Sequence, residues 1–98
     1  MKTPRLLRPA EDEMLEAAFY YEQQSSGLGQ DFLRKVQGAI EEIAQHPTRW
    51  PKVRGDIRRR LVHRFPYAVL YEDHAQEIVV IAVMHLRRHP TYWIDRTP

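Results

Sequence analysis

A chain of 98 residues without cysteine has room for one modest core, and it excludes a disulfide framework or a thiolate metal site. The formal net charge is +2, but residues 1–48 carry five Lys and Arg against eight Asp and Glu, whereas residues 49–98 carry ten against five. No apolar run near Met1 has the length of a signal h-region or a membrane span, so a single domain over residues 1–98, cytoplasmic and without membrane contact, is expected.

The first segment, Thr3 to Arg8, is short and mixed, and Leu6 and Leu7 fit a strand that ends at Pro9. Pro9 suits the first turn of a helix, with Glu11, Asp12 and Glu13 at the positive end of the dipole. Met14, Ala17 or Ala18 and Tyr21 recur at helical spacing, and Leu15 and Phe19 widen the stripe, so the spacing predicts a helix from Pro9 to about Gln24. Ser25-Ser26-Gly27-Leu28-Gly29 separates it from a second periodic segment, in which Phe32, Val36, Ile40 and Ile43 share a face. The pair reads as a helical hairpin, stopped at His46-Pro47 because the residue before proline is pushed out of the helical region. Thr48 to Gly55 is expected to be an exposed loop carrying Arg49, Trp50, Lys52 and Arg54.

The period then changes to two. In Ile57 to Phe65 one parity holds Ile57, Arg59, Leu61, His63 and Phe65, the expected core side, and the other holds Arg58, Arg60, Val62 and Arg64, the expected cationic side. Arg59 falls on the apolar parity and would need a carboxylate there, from Glu72 or from a partner. Pro66 interrupts, Tyr67 to Glu72 is rich in β-formers, and Asp73-His74-Ala75-Gln76 fits a hairpin turn. Ile78 to Met84 is apolar at both parities, as in a central strand covered on each side. The expected class is α+β: a short N-terminal strand, then a two-helix hairpin packed on an antiparallel sheet whose C-terminal part is a three-strand meander, Ile57–Phe65, Tyr67–Glu72 and Ile78–Leu86.

Five motifs in order carry a family likeness: A-x-x-Y-Y-E from Ala17 or Ala18, G-L-G-x-D-F at Gly27 to Phe32, the helix end Ile43 to Pro47, R-F-P-Y at Arg64 to Tyr67, and V-x-H-x-x-R at Val83 to Arg88. Together they resemble the RelE/ParE superfamily of bacterial type II toxin–antitoxin toxins, and most closely its ParE-like branch, often described as plasmid stabilisation proteins. The resemblance implies the fold just described and a cognate antitoxin whose disordered segment folds on the toxin. It also implies either of two mechanisms on one scaffold: inhibition of DNA gyrase, or ribosome-dependent cleavage of mRNA. A third possibility is a non-toxic module that only binds antitoxin.

For RNA cleavage the candidates are His85, Arg88 and Tyr92, since the reaction needs a base, an acid and cations for the charge on the phosphate. By strand parity His85 and Arg87 would project with Val79, Ile81 and Val83, and Tyr92 occupies the place of a C-terminal tyrosine in RelE-like nucleases. Three features depart from that pattern. Tyr67 to Glu72 holds no basic residue, His89-Pro90 interrupts the run to Tyr92, and His85 matches a structural strand-end histidine of ParE-like proteins. For contact with a target or an antitoxin the candidates are Lys52, Arg54, Arg58, Arg60, Arg64 and Arg87. Arginine outnumbers lysine twelve to three, which favours bidentate recognition of phosphate or carboxylate over a merely solvated basic surface. The five histidines lack HxxH or HExxH spacing and no Gly-rich phosphate loop occurs, so no metal and no cofactor are expected. No helix carries a cationic recognition face, so DNA is expected to be met only through the antitoxin.

Overall fold

Hydrophobic period and proline placement set the order of elements. The computed structural model describes residues 1–96 as β1 (Thr3–Leu6), α1 (Arg8–Gln24), α2 (Leu28–Gln45), β2 (Lys52–Arg54), β3 (Ile57–Leu61), β4 (Tyr67–Asp73) and β5 (Glu77–His85). The strands form one sheet in the order β1-β5-β4-β3-β2, with β1 parallel to β5 and the other pairs antiparallel. The α+β arrangement and the meander β3–β4–β5 are as expected. Leu7 is not in the strand but caps α1, where its backbone is extended at φ −63° and ψ 151°.

The helices pack on one sheet face. From α2 the expected residues Phe32, Val36, Ile40 and Ile43 are buried, joined by Ala39 and Ala44. From α1 the buried residues are small, Ala10, Ala17 and Ala18, with Met14 and Tyr21 packed beside them. Leu15 and Phe19 do not widen this stripe: they are 51% and 61% exposed. Alanines let α1 approach its neighbours closely, and that orientation leaves the two larger side chains on the outer face. Between helices and sheet, Tyr21, Phe32, Phe65 and Tyr67 form an aromatic cluster with edge-on contacts such as Phe32–Phe65 at 5.2 Å and Tyr21–Phe65 at 4.9 Å.

The opposite face is covered as well. Leu70, Val79, Ile81, Ala82 and Met84 form a second cluster with Leu7 and with Trp93, which is 2% exposed. This double cover explains a strand apolar at both parities.

Three expectations about the strands are corrected. The segment Thr48 to Gly55 is not wholly loop, because Lys52–Arg54 pairs with β3 across a register shift and forms the sheet edge. The strand from Ile57 ends at Leu61 rather than Phe65, since Arg64 adopts a left-handed φ of 72° and Pro66 follows. The sides of β3 are also exchanged. Arg58 lies opposite Tyr71 and Arg60 opposite Val69, both helix-side core residues, while Arg59 lies opposite Leu70 on the other face and is exposed, needing no carboxylate. Two apolar faces make parity ambiguous, and long arginine stems can lie along a core edge with their heads bonded at its rim.

Candidate functional site

Strand β1 reaches only as far as Val80 along β5, so the rest of that β5 edge has no strand neighbour. Side chains take its place. Glu13 of α1 accepts the Val83 N–H at 3.1 Å, and Arg96 donates to the Ile81 carbonyl at 3.0 Å. Arg96 also forks onto both oxygens of Glu13, at 2.9 and 3.0 Å, and the Tyr92 hydroxyl donates to Glu13 Oε2. The side chains of Glu13 and Arg96 are only 17% and 18% exposed, which places this ion pair at the rim of the core. Tyr92 lies between two cations, with Arg88 Cζ at 3.9 Å and Arg96 Cζ at 5.0 Å from its ring centroid. Burial first, then the bond to Glu13 and its charge, push the Tyr92 hydroxyl well above the usual tyrosine range, against the opposing pull of Arg96 and Arg88.

His85 ends β5 on the helix-facing side. Its ring meets Tyr67 edge-on at 5.0 Å, and its Nδ1 accepts the Arg87 N–H at 3.0 Å, so the neutral ring carries its proton on Nε2. The expected grouping of His85 with Val79 and Ile81 is corrected by a β-bulge: the register shifts between Leu70 and Tyr71, leaving Ile81 as the extra residue of β5. Val79 and Ile81 face the second cluster, whereas Val80, Val83 and His85 face the helices.

His85, Arg88 and Tyr92 do meet, around a cavity of about 210 Å³ that Glu13, Glu16, Tyr20 and Tyr67 also line. Two carboxylates therefore share this space with the three proposed catalytic groups. Arg87 lies beyond the strand and is exposed.

The other basic candidates are not one face. Arg58 is tied to the carbonyls of Thr48 and Trp50, at 3.3 and 2.7 Å. Arg60 donates to the Leu61 carbonyl at 2.7 Å, pairs with Glu42 of α2 and lies 5.1 Å from the Trp50 ring centroid. Lys52 meets Asp56 at 3.3 Å, while Arg54 and Arg64 are exposed and have no ion pair among the described residues. These arginines do not lie alongside His85, because β4 separates β3 from β5. Glu13, Glu42, Arg96 and Trp50 organise the neighbourhood, and sequence reading had assigned none of them that role. Glu13 read only as a first-turn acid, and no local pattern marks a partner some 70 to 80 positions away.

A further exposed feature is apolar. Leu15, Phe19 and Tyr20 lie outward on α1, and a groove of about 370 Å³ between β1 and the helices is lined by Pro4, Leu6, Met14 and Ile40 with Glu11 and Glu41. Among the described residues no cluster of metal-ligating side chains occurs, and no helix is long and apolar enough to cross a membrane.

Residues 5–90 match the family described as the ParE toxin of type II toxin–antitoxin systems, parDE. Among solved structures, a chain of the chromosomal ParDE toxin–antitoxin system from P. aeruginosa superposes with a TM-score of 0.71 at 13% identity, over 87% of this chain and 96% of that one. At that identity the likeness is one of fold. No match was found among curated proteins.

Proposed function

This chain belongs to the ParE toxin family of type II toxin–antitoxin systems, and from that premise we propose that it acts in the cytoplasm by inhibiting DNA gyrase through protein contact and is neutralised by a cognate antitoxin. The observation that carries the choice of contact over RNA cleavage is the state of Tyr92. A catalytic tyrosine must present its hydroxyl to substrate, but this one is half-buried and its hydroxyl is committed as a donor to Glu13 Oε2. Glu13 and Glu16 also line the cavity where a phosphate would have to sit, which opposes the negative charge that phosphoryl chemistry develops.

On this reading the exposed side chains at the end of β5, Arg87 and Arg88, belong to the target-facing margin, with His85 and Tyr92 as its rigid support. Lys52, Arg54 and Arg64 supply further exposed cations for target or antitoxin, whereas Arg58 and Arg60 are committed to internal partners. An acidic, amphipathic antitoxin segment fits the two features of the helical side: the apolar row Leu15, Phe19 and Tyr20, and the basic margin.

The convergence of His85, Arg88 and Tyr92 on one cavity favours, as a second reading, ribosome-dependent mRNA cleavage. Induced expression separates the two. Gyrase inhibition predicts DNA breaks and an SOS response, with purified toxin blocking supercoiling and antitoxin restoring it. Rapid mRNA cleavage with translation arrest, abolished by His85→Ala, would establish the nuclease instead, and unaffected growth would mark a non-toxic antitoxin-binding module.

A further inference from the structure

The sheet face turned away from the helices carries a small cavity of about 130 Å³, between β2 and the tail that follows β5. Leu70 and Met84 form its floor, Trp93 stands on the tail side, and Arg54 and Arg59 stand on the strand side.

Register brings these two arginines to one face. Arg59 shares a parity with Ile57 and lies opposite Leu70, and Arg54 lies opposite Ile57, which packs against the second cluster. Arg60 points to the helix side, where Glu42 holds it, and takes no part. Arg54 and Arg59 are exposed and make no ion pair or side-chain hydrogen bond among the described residues, and no carboxylate lines the cavity. The rest of the lining is mostly apolar. Leu70, Met84 and Trp93 are almost fully buried, and Val53, the extra residue at the register shift in β2, lies exposed beside them. The indole N–H of Trp93 is buried without an acceptor among the described residues, although buried tryptophans ordinarily find one.

We propose that this cavity receives one apolar side chain, about the size of leucine, from a partner protein segment in which acidic residues flank that anchor. An apolar cavity of this order holds a single small ring or branched side chain. Unpaired guanidiniums at its border favour carboxylates on either side of the anchor, in bidentate pairs. Nucleic acid fits less well. A phosphodiester would answer the arginines but leave the floor unfilled, and a base entering the cavity would set its donors and acceptors against Leu70, Met84 and Val53. Thr91 and the one indole N–H are the only uncharged polar side-chain groups there to meet them. The proposal stands apart from the gyrase reading: a chain that takes such a segment without inhibiting gyrase would keep it, and gyrase inhibition with an unresponsive cavity would not rescue it.

The test is an NMR titration of the isotope-labelled full chain with a blocked peptide that holds one leucine between pairs of glutamates, read at the indole N–H resonances of the two tryptophans. Trp50→Phe assigns them. The Trp93 resonance should shift and saturate, while that of Trp50, on the helix side beside Arg60, stays in place. Replacing the peptide's leucine by alanine should weaken binding about tenfold, through the loss of buried apolar surface. Arg54→Ala/Arg59→Ala should weaken it about tenfold or more and remove most of its salt dependence, with the urea midpoint nearly unchanged because both positions are exposed. A matched double variant elsewhere, Arg8→Ala/Arg34→Ala, removes the same net charge and should retain the affinity. The proposal is overturned by a Trp93 resonance that does not respond, by equal affinity for the alanine peptide, or by equal losses in the two double variants. It is overturned as well by a single-stranded oligonucleotide that shifts Trp93 at lower concentration than the peptide, or by a shift on raising the protein concentration alone, which would make a second copy the occupant.

Discussion

Glu13 shows how one side chain can terminate a sheet edge. Its carboxylate replaces the strand neighbour that β5 lacks beyond Val80, and it gathers Tyr92 and Arg96 onto the same point. Tyr92→Phe removes one charge-assisted hydrogen bond while leaving the Arg96 fork, so urea denaturation should show a loss of about 1.5 kcal/mol. Glu13→Gln weakens the whole set and should cost about 2 to 3 kcal/mol, since a half-buried arginine loses its counter-charge. The hydroxyl also sets a pH response. In the unfolded chain Tyr92 ionises near its ordinary value of 10.0, but in the native chain it ionises later, so the native state holds more protons above that pH. Its stabilising contribution is therefore complete below about pH 10 and is lost as pH rises through the higher native value. Tyr21, Tyr67 and Tyr71 are shifted the same way, chiefly by burial. The urea midpoint should fall in strong alkali, and less steeply in Tyr92→Phe; an identical fall in both proteins would remove Tyr92 from the explanation.

Among the elements, the helical hairpin depends on a close approach that composition alone does not reveal. Gly27 sits just before α2 at φ 88°, as its place in a turn of small residues leads one to expect. Gly29, read from sequence as part of the same connection, lies instead inside the first turn of α2. A β-carbon there would stand 2.4 Å from the Ala18 carbonyl, and its N–H donates to Glu22 at 3.0 Å. Gly29→Ala should force the helices apart and destabilise by about 1 to 3 kcal/mol. Gly38, on the exposed side of α2, meets nothing within 4 Å, and Gly38→Ala should stabilise by roughly 0.5 to 1 kcal/mol through helix propensity. Thermal melts of the two variants should move in opposite directions. The β-bulge in β5 belongs to this scale too: it was invisible in a run that is apolar at both parities, yet it decides that His85 faces the helices.

For the whole molecule, the uneven charge is real but is not displayed as one basic wall. Part is spent on Glu13, Glu42, Asp56 and backbone carbonyls, and the exposed remainder is dispersed, with Arg87 and Arg88 after β5 and Arg54, Arg59 and Arg64 on and around β2 and β3. Antitoxin binding should therefore combine salt-sensitive and apolar parts. Leu15→Glu/Phe19→Glu should leave the urea midpoint nearly unchanged, because both positions are exposed, and should weaken antitoxin binding by about tenfold or more. Equal antitoxin affinity in that variant would exclude the outer face of α1 from the interface. The order of elements apart from β2, the buried face of α2 and the family were legible in the sequence, because 3.6- and 2-residue periods, proline stops and short motifs are local signals. The sides of β3, the exposure of Leu15 and Phe19, and the capture of Tyr92 by Glu13 were decided only by the tertiary structure. Each depends on which surface packs against which, and on partners distant in the chain, so no local periodicity encodes it.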